Sequence, residues 1–350
     1  MKIERSFFGL MDKQVIEKIS MTNKNQQVVE IINYGATVHS WITKDKNGVF
    51  RELLLGKDEM ETYQKDNPNF GCVVGRYANR IQHGRFNLLG IDYNVSKNLQ
   101  GHHLHGGFSG FGKKVWNIEG VYENEDKGYL ILTYLSPHLD EGFPGNLKVK
   151  LTFSFSEENE LSILHEAMSD QDTICNLTNH CYFNLGETNH VLDHYLMIDG
   201  NYITETNQQL IPTGKLLDVS QTPFDFTSFK MIGARINDSN ELLTYGNGYD
   251  VNYVLNPRNK KHPKPSAHLF SQKTGIHLEV FTNKPGLQLY TGNWLEYIVG
   301  KNKEVYVKHS GICLEPQFYP NSPNHPDFPT ATLIKGKNYH HLLQYKVYIQ

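Results

Sequence analysis

The chain is dominated by a period-two alternation of apolar and polar residues. Residues 147–155 read Leu-Lys-Val-Lys-Leu-Thr-Phe-Ser-Phe without interruption, which is typical of a strand with one buried face. A turn at Glu157-Glu158-Asn159 leads into a second apolar-rich run at 161–165. Because two such runs joined by a short polar turn pair with each other, the pattern predicts a β-hairpin.

The same pattern predicts hairpins elsewhere, from 116–122 with 129–135 and from 14–21 with 27–32. Helical periodicity is confined to two short windows, 57–64 and 297–300, where we predict a turn of helix. No repeat of about 20–50 residues is visible, which argues against a propeller. We therefore predict an all-β protein of many antiparallel strands, arranged as a sandwich or a barrel. Since no Pro/Gly/Ser-rich linker divides residues 1–350, we predict a single domain.

The charge balance and the cysteine content restrict the binding partners and the cellular compartment that we expect. Lys and Arg number 34 against 37 Asp and Glu, a net charge of −3, so no overall field attracts nucleic acid or an anionic membrane. The most basic run, 258–265, contains two prolines and is predicted to be a solvated loop. Four cysteines form no CxxC pair, which indicates neither a zinc ribbon nor a disulfide framework. With no signal-peptide pattern and no long apolar run, we expect a cytoplasmic protein without a membrane partner.

One segment combines a histidine with amide and hydroxyl side chains inside an apolar run: Asn176-Leu177-Thr178-Asn179-His180-Cys181-Tyr182-Phe183-Asn184-Leu185. Each polar group in a buried strand must find a hydrogen-bond partner or cost about 1–3 kcal/mol. His180 titrates near neutrality when unperturbed. A structural core histidine would explain His180 alone, whereas the polar groups around it favour a histidine oriented for proton transfer.

Glu315 follows the apolar run Gly311-Ile312-Cys313-Leu314, so its carboxylate is predicted to lie at the end of a buried strand. An ionised carboxylate in such a place costs several kcal/mol unless it is paired or hydrogen-bonded. A structural ion pair with an arginine and a catalytic base are both compatible with the residues alone.

Arg80 follows Asn79 between apolar neighbours, and a guanidinium beside an amide suits hydrogen bonding to vicinal hydroxyl groups. An arginine paired with a core carboxylate is the alternative. Arg76 lies four residues earlier, and we assign it a structural role. Asp250 follows the glycine-rich loop 246–249, a position typical of carboxylates that accept from sugar hydroxyls.

His105 precedes Gly106 and Gly107, which permit a tight turn and a close approach to a ligand. A mobile loop histidine is the alternative reading of His105. The run Gly101-His102-His103-Leu104-His105 also raises the possibility of a metal site, but residues 106–110 contain no carboxylate, so we predict no metal.

Five segments, in order, resemble the motifs of the galactose mutarotases, also called aldose 1-epimerases. They are Gly75-Arg76-Tyr77-Ala78-Asn79-Arg80-Ile81, His103-Leu104-His105-Gly106-Gly107, the segment 176–185, Pro285-Gly286-Leu287-Gln288-Leu289-Tyr290-Thr291-Gly292-Asn293 and Cys313-Leu314-Glu315-Pro316-Gln317. Shorter matches at 33–37, 141–147 and 211–214 extend the resemblance over nearly the whole chain. The resemblance implies a large β-sandwich (super-sandwich) and interconversion of the α and β anomers of free hexoses such as galactose and glucose.

Interconversion of anomers requires the C1 hydroxyl to lose a proton while the ring oxygen gains one. One general base and one general acid suffice, without metal or cofactor. The resemblance implies Glu315 as base and His180 as acid, with His105 contacting the sugar and supporting the transfer. It implies a sugar site lined by Asn79, Arg80, Asp250 and Gln288. The expected partner is a free aldohexose, and the protein is expected to be a monomer or homodimer.

Two positions depart from the family pattern. Val251 stands where a histidine often follows the aspartate, which leaves the hydrogen bonding near Asp250 open. Gly112 stands where an aspartate is commoner, and we expect an effect on a surface loop only.

Other functions on the same residues remain possible at this point. A sugar-binding protein without catalysis would not need an acid–base pair. A glycoside hydrolase could use Glu315 with Asp250, but His180 would then have no role. A sugar-phosphate epimerase is disfavoured because no Lys/Arg cluster lies near the motifs.

Overall fold

The structure is a computed structural model that describes residues 1–65, 67–257 and 264–350. Within these ranges it contains the following strands: β1 Lys2–Met11, β2 Gln14–Thr22, β3 Val28–Ile32, β4 Thr37–Lys44, β5 Phe50–Glu52, β6 Val73–Val74, β7 Arg80–Ile81, β8 Arg85–Leu88, β9 Ile91–Asn94, β10 His103–Leu104, β11 Asn117–Glu123, β12 Lys127–Ser136, β13 Leu147–Ser156, β14 Glu160–Ser169, β15 Thr173–Ile174, β16 Thr178–Asn179, β17 Tyr182–Phe183, β18 Tyr195–Ile198, β19 Tyr202–Thr206, β20 Pro212–Asp218, β21 Lys230–Met231, β22 Asp250–Val254, β23 Ala267–Ser271, β24 Ile276–Thr282, β25 Gly286–Tyr290, β26 Ile298–Val299, β27 Val305–Tyr306, β28 Ile312–Gln317, β29 Thr332–Leu333 and β30 Asn338–Ile349. The three predicted hairpins are confirmed as the antiparallel pairs β2–β3, β11–β12 and β13–β14. The basic run at 258–265 lies outside the described residues except for its last two.

Helix is scarce. The α-helices described are α1 Met60–Lys65 and α2 Glu241–Gly246, with single 3₁₀ turns at Gln82–Gly84, Phe111–Lys113, Asp140–Gly142, Ile232–Ala234, Lys301–Lys303 and Ser322–Asn324. The window at 57–64 therefore contains most of α1, as predicted. None of the helices in the described ranges is long and apolar enough to cross a membrane.

The prediction of helix at 297–300 is wrong, because Ile298 and Val299 form β26 and pair with β27. Both side chains are β-branched, which favours extended backbone. Helix α2 was not predicted, since six residues are too few to show a helical period. Its capping residues carry the signal instead: Asn240 accepts a hydrogen bond from the Leu242 N–H at 2.9 Å, and Asn247 ends the helix in the left-handed conformation.

Three large antiparallel sheets form the body of the protein. The first contains β1 to β5 in sequence order, and the second has nine strands in the order β11-β12-β13-β14-β30-β24-β23-β18-β21. The third has six strands in the order β17-β28-β25-β22-β19-β20. One continuous hydrophobic core joins them and includes Trp41 of β4, Phe153 of β13 and Leu314 of β28. The all-β sandwich prediction is confirmed.

The strand β28 is buried along its whole length, on both faces. Ile312 and Leu314 point into the shared core. The alternating residues Cys313, Glu315 and Gln317 point to the other face, because successive side chains of a strand lie on opposite sides. These side chains therefore form a polar surface that is enclosed by protein and lies on the opposite side of the sheet from the hydrophobic core.

Arg76 anchors the segment that leads to this surface. Its guanidinium donates to the carbonyl oxygens of Pro144 at 2.7 Å and Gly145 at 2.9 Å. It also donates to the hydroxyl of Ser136 at 2.6 Å and to the carbonyl oxygen of Pro137 at 3.2 Å. Burial lowers the pKa of Arg76 to about 10, which still leaves it charged at neutral pH. The predicted structural role agrees with these contacts.

We predict that Arg76→Met lowers the free energy of unfolding by about 3 kcal/mol or more, because several buried acceptors lose a charged donor at once. The measurement is equilibrium denaturation of both proteins. Arg85→Met is the matched control, since Arg85 pairs with Asp92 at the surface and its loss should cost less than about 1 kcal/mol. Equal stability changes in the two variants would contradict the structural role.

Candidate active site

The floor of the candidate site consists of two adjacent rows of residues across the six-stranded sheet. In the first row, Asn252 of β22, Gln288 of β25 and Glu315 of β28 lie directly opposite one another. In the second row, Asp250, Tyr290, Cys313 and Tyr182 are neighbours in the same way. Strand register alone therefore brings together polar residues that are far apart in the sequence.

His180 lies over the second row. Its ring stacks on Tyr182 with centroids 4.9 Å apart and planes inclined by 26°. Its Nε2 is 3.7 Å from Oε1 of Glu315, and its Nδ1 is 3.5 Å from Sγ of Cys313. His180 and Glu315 are 4% and 2% exposed, so the imidazole and the carboxyl are almost fully shielded from bulk water.

The amide groups around His180 hold the backbone rather than the imidazole ring. Asn179 donates to the carbonyl oxygen of Gly71 at 2.8 Å, and the N–H of His180 donates to that of Cys72 at 2.9 Å. The side-chain oxygen of Asn176 accepts from the N–H of Phe318 at 2.9 Å, which ties the histidine segment to the end of β28. These contacts fix the backbone on either side of His180, and none of them is made to its ring.

The ring of His105 also lies beside that of His180, with centroids 5.4 Å apart and planes inclined by 75°. The N–H of Asn79 donates to Nδ1 of His105 at 3.2 Å, so the neutral imidazole carries its proton on Nε2. Both residues have left-handed backbone, with φ of +52° at His105 and +67° at Asn79. At Gly106 a Cβ would lie 1.8 Å from the Gly75 carbonyl oxygen, so only glycine fits this turn.

Arg80, Asp250 and Gln288 form a chain of polar contacts that leads back to Glu315. Nη2 of Arg80 is 3.7 Å from Oδ2 of Asp250, and the Gln288 amide donates to Oδ1 of Asp250 at 2.6 Å. Asn79 accepts from the Arg80 N–H at 2.8 Å and so fixes the start of this chain. All seven residues singled out in the sequence thus lie in one contiguous ring around the site.

Burial dominates the electrostatics of Glu315. Desolvation raises the pKa of Glu315 well above its usual value, the neighbouring Asp250 raises it further, and Arg80 opposes both. Oε2 of Glu315 is buried without a hydrogen-bond partner in the described part of the protein. A buried, unpartnered carboxyl oxygen is costly for folding alone, and a hydroxyl group of a bound molecule would satisfy it.

Burial acts in the opposite direction on the histidines. It lowers the pKa of His180 to about 4 and that of His105 well below its usual value, because the charged imidazolium is the form that loses hydration. Desolvation is the largest cause of the lowered His180 pKa, and the raised pKa of Glu315 favours the neutral form of that carboxyl.

Asp250 is also buried, and burial raises its pKa while Arg80 and Gln288 oppose the shift. These two donors therefore compete with desolvation at the same carboxylate. Asp250 and Glu315 differ in this respect, because hydrogen bonds and a guanidinium offset burial at Asp250 and only the guanidinium does so at Glu315.

The histidine run at 101–105 does not gather around one point. Nδ1 of His102 accepts from the N–H of His83 at 2.9 Å, and Nδ1 of His103 contacts the Ser96 carbonyl oxygen at 2.8 Å. A different trio, His180, Cys313 and Glu315, has potential ligand atoms within 4.8 Å of one another. In this trio the carboxylate contacts Nε2 of the ring and the thiol contacts Nδ1.

Several residues of the site were missed in the sequence. Asn252, Cys313 and Gln317 lie on the polar face, where Gln317 donates to the Gln288 side-chain oxygen at 3.2 Å. Tyr290 lies beside His180, with centroids 6.4 Å apart. The strand alternation could have identified these residues, because residues two positions from a predicted site residue on the same strand share its face.

The two departures from the family pattern have different consequences. Val251 is 1% exposed and belongs to the hydrophobic core, so it faces away from Asp250 and the site. We expected Gly112 to affect a surface loop only, and the structure differs from that expectation. A Cβ there would lie 2.5 Å from Sγ of Cys72, and it lines a cavity of about 130 Å³ that His105 also borders.

This arrangement is that of the galactose mutarotase-like β-sandwich proteins. The solved structure of galactose 1-epimerase from Lactobacillus acidophilus superposes with a TM-score of 0.89 at 29% identity, covering 99% of both chains. A sequence profile of the aldose 1-epimerase family matches residues 17–346. The galactose mutarotase of Mus musculus is 38% identical over 98% of each chain, and the aldose 1-epimerase of Haemophilus influenzae is 34% identical over 98% of this chain and 99% of its own.

The chain belongs to the aldose 1-epimerase family. Its activity is that of an aldose 1-epimerase, an isomerase whose substrates are monosaccharides.

The raised pKa of Glu315 predicts a pH-dependent effect of Glu315→Gln on stability. A carboxyl whose pKa is higher in the folded state stabilises the protein below its unfolded pKa, and this contribution is lost as the pH rises through the folded pKa. The variant should therefore gain stability relative to wild type by about 1.4 kcal/mol for each pH unit between these values. Unfolding free energies measured across pH test this, and a pH-independent difference would contradict the shift.

Proposed function

We propose that Glu315 is the general base and His180 the general acid in the ring opening of a free aldohexose. The observation that carries this proposal is the buried pair itself: Oε1 of Glu315 is 3.7 Å from Nε2 of His180, and Oε2 has no hydrogen-bond partner within residues 1–65, 67–257 and 264–350. Glu315 takes the proton of the C1 hydroxyl. The bond between C1 and the ring oxygen breaks with its electron pair on the oxygen, and His180 donates the proton that this oxygen needs.

Ring closure reverses both transfers. The open-chain aldehyde rotates about its C1–C2 bond and presents the other carbonyl face. His180 then takes the proton of the attacking hydroxyl, while Glu315 returns its proton to the carbonyl oxygen. Each step conserves protons, so the two residues need no exchange with solvent.

Burial supports this cycle. The reactive starting state has an ionised Glu315 and a protonated His180, and the open-chain state has neutral forms of both. Because desolvation raises the pKa of Glu315 and lowers that of His180, the environment favours the protonation state that accompanies the open aldehyde. Removing two opposite charges at once lowers the energy of a species that is otherwise unfavourable.

We further propose that Asn79, Arg80, Asp250 and Gln288 bind the sugar hydroxyls and that His105 supports the transfer at the ring oxygen. The chain of contacts from Arg80 through Asp250 to Gln288 presents a guanidinium, a carboxylate and an amide along one side of the site. Vicinal hydroxyls both donate and accept, so this mixed set suits them. The Nε2–H of neutral His105 is a donor available to an oxygen of the sugar.

Galactose and glucose are the proposed substrates, as the relatives named galactose mutarotase suggest.

We propose one domain, since the hydrophobic core draws on residues from Ile19 to Val347, and a monomer or homodimer. Four free, buried cysteines support a cytoplasmic location. The near-balanced charge supports the absence of a nucleic-acid or membrane partner.

Glu315→Gln and His180→Gln are each expected to lower kcat by about 10²–10⁴-fold, because each removes one proton-transfer group while conserving volume. Polarimetry on freshly dissolved α-D-galactose, in a weakly catalytic buffer, measures the rate. Glu279→Gln, on β24 of the nine-stranded sheet, is the matched control and should retain wild-type turnover. Wild-type rates in either site variant, with unchanged circular dichroism, would refute the assignment. Bound sugar without any acceleration by wild type would favour a sugar-binding protein.

Asp250→Asn is expected to raise KM by about tenfold or more, since a charged acceptor to sugar hydroxyls becomes neutral and Arg80 loses its partner. The measurement is the dependence of the initial rate on galactose concentration. Asp92→Asn removes a surface carboxylate and should leave KM unchanged. An unaltered KM in Asp250→Asn would exclude this carboxylate from sugar binding.

A further inference from the structure

Lys284 is a buried lysine that takes no part in the mechanism above. It lies in the connection between β24 and β25 and is 6% exposed. Its Nζ is 4.0 Å from the ring centroid of Phe318 and 4.0 Å from that of Tyr339. In the part of the chain that the structure describes, this Nζ makes no hydrogen bond and no ion pair. Two aromatic faces therefore hold the amine there.

Both aromatic residues are hydrogen-bonded to the segment that carries the proposed acid. The N–H of Phe318 donates to the side-chain oxygen of Asn176 at 2.9 Å, and the hydroxyl of Tyr339 accepts from the N–H of Leu177 at 3.0 Å. Phe318 also directly follows β28, the strand that carries the proposed base. The amine thus lies where the strand of the base meets the segment of the acid.

The charge of the amine acts on both aromatic residues at once. A cation over the face of an aromatic ring is attracted by the electrons of the ring, and the attraction is strongest where water is excluded. An ammonium group between two rings draws both of them toward itself. A neutral amine fills the same space without this attraction, so the charge and the volume of the side chain have separable effects.

We propose that Lys284 is a positioning residue whose charged amine, through Phe318 and Tyr339, holds Glu315 and His180 in the relative position that proton transfer requires. This inference rests on the proposed roles of Glu315 and His180. Loss of the charge should lower kcat, because the two proton-transfer groups lose their alignment. KM should stay within about twofold, because the proposed sugar contacts are not removed.

The surroundings make this charge sensitive to pH. Burial lowers the pKa of Lys284 to about 7, and Cys175 opposes the shift. Burial also raises the pKa values of Cys175 and Tyr339 and lowers those of His165 on β14 and His341 on β30. Because these four neighbours are uncharged at neutral pH, the amine can gain or lose its charge while theirs stay the same.

The test is the ratio of the wild-type kcat to that of Lys284→Met, measured by polarimetry at pH values on both sides of the Lys284 pKa. Methionine keeps an unbranched side chain and removes the charge. Below this pKa the ratio should be about tenfold, since a small misplacement of catalytic groups by a distant change can cost up to about 10²-fold. Above it the wild-type amine is neutral as well, so the ratio should approach unity. Titrations of the site residues are common to both proteins and cancel in the ratio.

Lys44→Met is the matched control. Nζ of Lys44 also lies over an aromatic ring, 5.1 Å from the centroid of Phe50 in the five-stranded sheet. Its ratio should stay near unity at every pH. Lys284→Arg restores a charge that does not titrate, so it should keep a high kcat on both sides of the Lys284 pKa. A Lys284→Met ratio near unity throughout, or one that is raised equally at every pH, overturns the proposal.

A second measurement uses wild-type protein and does not depend on a variant that retains activity. Spectra of protein labelled with ¹³C at lysine Cε follow the charge of Lys284 as the pH changes, with Lys284→Arg providing the assignment. The midpoint of this titration should coincide with the midpoint of the change in the kcat ratio, and separate midpoints would overturn the proposal. Failure of the proposed function is distinguishable, because Glu315→Gln would then turn over galactose at the wild-type rate.

Discussion

The constraint on which the site depends is the burial of the Glu315 carboxyl on the back of a hydrophobic core. Leu314, the preceding residue of β28, packs into the core between the sheets, and Glu315 faces the other way into a protein-enclosed polar surface. Water cannot hydrate a carboxylate in this position, so its charge must be balanced by the protein or by a bound molecule. Nearly every other feature of the site can be understood as a response to that requirement.

The protein balances the charge of Glu315 only in part. The charge of Arg80 favours ionisation of Glu315, and its guanidinium also lies next to Asp250. Asp250 receives a further hydrogen bond from Gln288, while one oxygen of Glu315 has no partner among the described residues. In the proposed reaction, Asp250 accordingly stays fixed while Glu315 exchanges a proton. A fully satisfied Glu315 would be more stable but less basic toward a substrate hydroxyl.

Local sequence features predicted a good part of this arrangement. Uninterrupted alternation predicted the hairpins, since period two follows directly from strand geometry. Polar residues in apolar runs identified Glu315 and His180, because burial makes such residues expensive. These sequence signals failed in two situations. The helix α2 has only six residues, which are too few to show a helical period. The contact of Gly112 with Cys72 joins residues 40 positions apart, so a local pattern cannot predict it. Likewise, the polar groups near His180 predicted an oriented histidine, but the sequence did not show that the amides of Asn176 and Asn179 bind the backbone of distant segments.

By itself the sequence determined the strands, their buried and polar faces, and which side chains are costly to bury, because these depend on residues one or two positions apart. The ordered motifs also determined the family. Only the tertiary structure decided that Asn252, Gln288 and Glu315 form one row, that His180 lies over Cys313, and that burial moves the pKa values of Glu315 and His180 in opposite directions. The physical reason is that strand register and desolvation arise from contacts between distant parts of the chain. A shift of one residue in register would turn every one of these side chains to the other face of the sheet.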